Sequence, residues 1–273
     1  MSEFVKRLIT GLVGAGIIVA VMIYSYYGVW LFCLIVSSLS VLEFLRLSEV
    51  KVVPYHWAVL GFTSIIWLVI LYSLIVGPSD YLPYRFILAA LIFFVPLLQI
   101  LTLYNSSENS PLETIGRIIL GLVYCFIPFL LFCFFSIPTK ESYDPSLPLG
   151  ILFLNFGLDT GAYFAGKSFG KRPLFARVSP NKTWEGYLGG ILLCLITSYF
   201  FQIYLPVPPF NWMAIAVIIC MFSPLGDLVE SLLKRHMNLK DSGNILPGHG
   251  GMLDRFDGLY MAVPFLYFYL TCC

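Results

Sequence analysis

Charge is missing from long stretches of this chain, and those stretches set its architecture. Residues 8–42, 52–79, 86–107, 118–139, 186–226 and 258–273 contain no Asp, Glu, Lys or Arg. A helix needs about 20 consecutive apolar residues to cross a bilayer. The first run is broken by the polar-aromatic stretch Tyr24–Gly28 and predicts two short spans. The run at 186–226 is interrupted by Pro206, Pro208 and Pro209 and also predicts two. A further span is expected over about Pro148–Gly166, with Asp159 inside it. The pattern therefore predicts an all-α, polytopic integral membrane protein with about nine transmembrane helices. Residues 1–147 would hold the N-terminal helices, and residues 148–273 a C-terminal region with two charged loops.

Composition sharpens this picture. Of 273 residues, 59% are hydrophobic and 11% charged, against roughly 25% charged in an ordinary soluble domain. Disorder, a disulfide-stapled secreted module and a water-soluble globule are all excluded. Net charge is +1, so nothing draws the chain toward nucleic acid. Five of the cysteines lie in apolar runs with no C-x-x-C pair, as buried thiols do. With nine spans, fourteen of the 16 Lys and Arg residues fall on one side and only Arg85 and Lys140 on the other. The positive-inside bias makes the basic side cytoplasmic.

The charge that remains is concentrated. Residues 159–185 and 227–257 hold 16 of the 31 charged residues in about a fifth of the chain. In the second cluster Asp227, Glu230, Ser231 and Lys234 stack on one helical face at i, i+3, i+4 and i+7. A carboxylate near a membrane helix centre costs roughly 2.5–3.5 kcal/mol, so Asp227 must face a polar cavity or a cation. The alternative is an interfacial ion-pair stripe that anchors the helix end. The string KDSGNILPGHGGMLDRFDG follows at 240–258. Its glycines, among them Gly248, Gly250 and Gly251, leave backbone N–H groups free to approach phosphate. Lys240, His249 and Arg255 add donors, and Asp241, Asp254 and Asp257 add acids. Mg²⁺ is commonly held by one or two carboxylates together with substrate phosphates.

The first cluster has the same character. Asn155, Asp159, Tyr163 and Lys167 form one helical row, and the string SPNKTWEG follows at 179–186. Ser179 or Asn181 is expected to cap a helix starting near Thr183, with Glu185 complementing its dipole. Lys182 is harder to explain as a cap. Lys171, Arg172 and Arg177 suit anionic headgroups equally well.

These residues carry a resemblance. Ser231–Asp257, D-x-x-A-Y-x-x-G at Asp159–Gly166 and SPNKTWEG resemble the phosphatidate cytidylyltransferase (CDP-diacylglycerol synthase) family. The resemblance implies that CTP and phosphatidate give CDP-diacylglycerol and pyrophosphate in phospholipid biosynthesis, in the inner membrane of a bacterium, with the active site facing the cytoplasm. It implies Mg²⁺ beside a monovalent cation such as K⁺, metal carboxylates at Asp227 and Asp254, and a homodimer. On it, the C-terminal region is catalytic through Asp227, Lys240, Asp241, His249, Asp254, Arg255 and Asp257. Substrate contacts are expected from Asp159, Asn181, Lys182, Glu185, Ser231, Lys234, Gly248, Gly250 and Gly251. A membrane transporter, or another membrane phosphotransferase using an intramembrane carboxylate site, is the competing reading.

Overall fold

A computed structural model describes residues 3–50, 53–76, 90, 93–94, 96–101, 110–135, 143–205, 210–237, 239, 242–243 and 250–272. Among these, the chain opens with α1 (Glu3–Tyr24) and α2 (Tyr26–Leu47), joined at Ser25, whose hydroxyl accepts from Tyr27 N at 3.2 Å. The break expected at Tyr24–Gly28 is this turn. Helix α3 covers Val53–Val76. Helix α4 covers Pro111–Phe134 and contains a π-turn over Leu122–Phe126 just ahead of Pro128. A proline has no N–H to give to the helix ladder, and a wider turn is one way to absorb that interruption.

The C-terminal region consists of α5 (Ser146–Phe169), α6 (Trp184–Tyr204), α7 (Trp212–His236) and α8 (Leu253–Cys272). Between α5 and α6 lies a small antiparallel hairpin of β1 (Pro173–Phe175) and β2 (Ser179–Thr183). The all-α membrane fold stands, with this one addition. The hairpin also corrects the expected cap. Ser179 and Asn181 are in strand, and Thr183 caps α6 instead, its hydroxyl accepting from Gly186 N at 3.1 Å. A β-forming stretch ending at a threonine reaches the helix with the extended backbone that an N-cap requires.

Six of these helices are long and apolar enough to cross a membrane: Tyr26–Leu47, Pro54–Ile75, Pro111–Phe134, Ser146–Phe169, Trp184–Tyr204 and Trp212–His236. The six do not establish nine. The run at 86–107 lies mostly outside the described residues, and α8 carries Asp254, Arg255 and Asp257 in its first turns.

Lipid offers apolar side chains nearly the same environment as a protein interior, so membrane helices associate through close packing and polar contacts. Helix α5 packs chiefly on α6 and α7 on α8, while α2 lies against α4 and α8. Phe32, Phe129 and Phe256 meet edge to face, tying α2, α4 and α8 together. Between α7 and α8 the packing is closest at two glycines. A Cβ on Gly226 would overlap the Asp257 carbonyl oxygen, and one on Gly258 would overlap the Ser223 hydroxyl. That contact brings Asp227 beside Asp257.

Candidate active site

Helix α7 supplies the centre of the site. Its face carries Asp227, the fully buried Glu230 and Lys234 in succession. Lys234 Nζ lies 2.6 Å from Glu230 Oε2 and 2.8 Å from Asp254 Oδ1 on α8. The expected stripe therefore does form ion pairs, but it turns inward across α8 as well as along its own helix. Asp227 is paired with Lys182, which the hairpin delivers from β2. Burial lowers the Lys182 ammonium below the ordinary lysine value, against the opposing attraction of Asp257, Asp159 and Glu230.

Asp227, Glu230 and Asp257 can each place one carboxylate oxygen within 4.8 Å of the other two. Among the described residues, Glu230 has no hydrogen-bond donor on either oxygen beyond its ion pair with Lys234. Three hard oxygen donors so disposed fit a divalent cation of the Mg²⁺ type. Asp254 is differently engaged. Besides Lys234, it accepts from Ser242 N at 3.0 Å and from Gly251 N at 2.8 Å.

Asp227, Asp254 and Asp257 open onto a cavity of about 1220 Å³. Asp159, Asn181, Lys182, Asp227, Asp254, Arg255 and Asp257, expected from both charged clusters, line it together. Tyr163 and Lys167 join them from α5. The rest of the lining is largely apolar, with Ile18 and Val19 from α1 and Leu149, Leu152, Phe153 and Phe156 from α5. Phe153 and Phe156 are exposed.

Other expected residues lie away from the cavity. Glu185 braces the hairpin: its carboxylate accepts from Lys171 N and Arg172 N at 3.0 and 3.1 Å. Ser231 and Lys234 on α7 and the loop glycine Gly250 are half-buried outside the cavity lining, and Gly251 is buried outside it. Gly250 has φ 82°, a left-handed conformation that suits glycine. Lys240, Asp241, Gly248 and His249 lie outside the described residues. Lys171, Arg172 and Arg177 are exposed on the hairpin.

One acid near the site went unremarked in the sequence. Glu43, on α2, is 1% exposed and accepts from Met252 N at 3.0 Å and Leu253 N at 2.8 Å. A signal was available: Ser37, Ser40 and Glu43 recur every three residues on an otherwise apolar helix, and all three are buried.

An all-α membrane bundle that gathers carboxylates and lysines into one cavity with apolar residues in its lining belongs to the class of membrane proteins with a site suited to a charged, amphiphilic ligand. Comparison with known proteins narrows that class. Residues 5–273 match the model of the cytidylyltransferase family, and the chain belongs to that family. It is 35% identical to the phosphatidate cytidylyltransferase of Bacillus subtilis (strain 168) over 276 aligned positions, covering 99% of each chain. The enzymes of that name from Staphylococcus epidermidis and Haemophilus influenzae match over shorter stretches. The first is 47% identical over 110 residues (40% of this chain, 42% of the relative). The second is 42% identical over 132 residues (45% of each).

Proposed function

We propose that this chain transfers the cytidylyl group of CTP to phosphatidate, giving CDP-diacylglycerol and pyrophosphate. The observation that carries the reading is the lining of the cavity, divided between charged residues of both motifs and apolar side chains of α1 and α5. An amphiphile with a phosphate head and hydrocarbon tails suits that division.

In the reaction an oxygen of the lipid phosphate attacks the α-phosphorus of CTP. The bond from that phosphorus to the oxygen bridging toward the β-phosphate breaks, and pyrophosphate leaves with the electron pair. The attacking oxygen is already anionic, so the step calls for positioning and charge neutralisation rather than a nucleophile on the protein. Lys182 and Arg255, both in the cavity lining, are assigned to the phosphates, and Lys240 and His249 to the triphosphate from the glycine-rich loop. Asn181 and Asp159 border the same space. Asp227, with Glu230 and Asp257 and with Asp254 alongside, would hold Mg²⁺. When bound, the ion offsets phosphate charge and orients the oxygens around it. The leucines and phenylalanines of α5 receive the acyl chains, which enter sideways from the bilayer. The basic asymmetry supports an inner-membrane protein of a bacterium with this site on the cytoplasmic face.

The test uses purified protein in detergent with phosphatidate, Mg²⁺ and radiolabelled CTP. Label in an organic-soluble product, with pyrophosphate released mole for mole and activity lost on chelation, is the expected result. No labelled lipid, or labelled lipid without pyrophosphate, would overturn the assignment.

A further inference from the structure

The segment leading into α8 is held by two carboxylates from different parts of the chain. Asp254, in the first turn of α8, accepts from Gly251 N and Ser242 N, which closes the two ends of the glycine-rich loop on each other. Glu43 reaches across from α2 and accepts from Met252 N and Leu253 N, while the Ser242 hydroxyl donates to its Oε2 at 3.2 Å. Four backbone donors, Ser242 N, Gly251 N, Met252 N and Leu253 N, thus end on these two side chains.

Local capping cannot explain the choice of residue. The first N–H groups of a helix lack intrahelical partners, and a neighbouring Ser, Thr or Asp satisfies one of them without burying a distant charge. Here a wholly buried glutamate from a membrane helix does so, although burying a carboxylate without a cation partner is costly. The positive end of the α8 dipole partly offsets its charge. The fit leaves little room: a Cβ on Gly243 would come 2.7 Å from Glu43 Oε1, and one on Gly251 2.6 Å from Oε2. Immediately after the residues it grips come Asp254, Arg255 and Asp257, all lining the cavity.

We infer that Glu43 is a positioning residue, which fixes the start of α8 so that Asp254, Arg255 and Asp257 join Asp227 in the cavity lining. This rests on the proposed cytidylyl transfer, because the effect is read in that reaction. Glu43 is not among the described residues that line the cavity, so its loss acts on turnover and spares lipid binding.

The experiment measures kcat and the KM for phosphatidate for wild type, Glu43→Gln, Gly243→Ala and the exposed control Glu113→Gln. An amide at position 43 sets a donor against N–H groups, and a methyl at 243 crowds the carboxylate from the other side. Each should lower kcat about 10-fold or more with the lipid KM held within roughly twofold, while the control stays at wild type. The double variant Glu43→Gln/Gly243→Ala should lose little more than the worse single one, because both act on the same contact. Wild-type kcat in either single variant, or a lipid KM that rises as kcat falls, overturns the inference. Should Glu43→Gln fail to fold, Gly243→Ala decides alone. A wild-type enzyme that makes no labelled lipid refutes instead the reaction itself, which separates the two failures.

Discussion

Asp227 sits where three demands meet: it pairs with Lys182, groups with Glu230 and Asp257, and lines the cavity. Asp227→Asn keeps the shape and removes the charge, so the purified variant should elute like wild type in detergent. Its turnover should fall by about 100-fold or more, the scale on which loss of a preorganised electrostatic group is felt. Turnover near wild type would remove Asp227 from the site. The acid was legible in the sequence because a charge inside an apolar run demands a reason. Glu43 was not, because it stands just beyond a charge-free run and could pass for a helix-end residue. Its partners are backbone groups some 200 positions away (|i−j| 209 and 210). A backbone N–H leaves no trace in the residue alphabet. Asp254 shows the same limit, since its identity suggests a cation ligand and only the fold reveals the N–H groups already upon it.

At the scale of the element, the pairing of α7 with α8 decides whether the acids meet. Gly226 leaves no room for a Cβ against the Asp257 carbonyl, so Gly226→Ala should wedge the helices apart and separate Asp227 from Asp257. Activity should drop about 10-fold or more, alongside a lowered melting temperature of the kind overpacking produces, with roughly 1–3 kcal/mol of stability lost. Equal activity and melting temperature would show that the helices yield without consequence. Helix positions were readable from charge-free runs and prolines, but helix partners were not, because contact between glycines leaves no periodic signal. The short hairpin was missed for a related reason. SPNKT contains cap-forming residues, and only its pairing with Pro173–Phe175 makes it a strand.

For the whole molecule, the hairpin, the start of α8 and the end of α7 must share one side of the bilayer. Arg177 is exposed at the hairpin tip. In a chain cleared of its other cysteines, Arg177→Cys should react with a membrane-impermeant maleimide in inverted vesicles and stay protected in intact cells. Labelling from outside the cell would reverse the assigned orientation. The basic asymmetry of the sequence already pointed to this arrangement, since it depends on summed charge rather than on contacts.

The oily wall formed by Phe153, Phe156 and their neighbours has a kinetic meaning of its own. A chamber flanked by such a surface makes the membrane the solvent for one reactant, while the nucleotide arrives from water. Supply of the lipid is then governed by its fraction of the surrounding leaflet, not by litres of cytosol. Crowding that leaflet with inert neighbours slows the catalyst even when the total amount of lipid is unchanged.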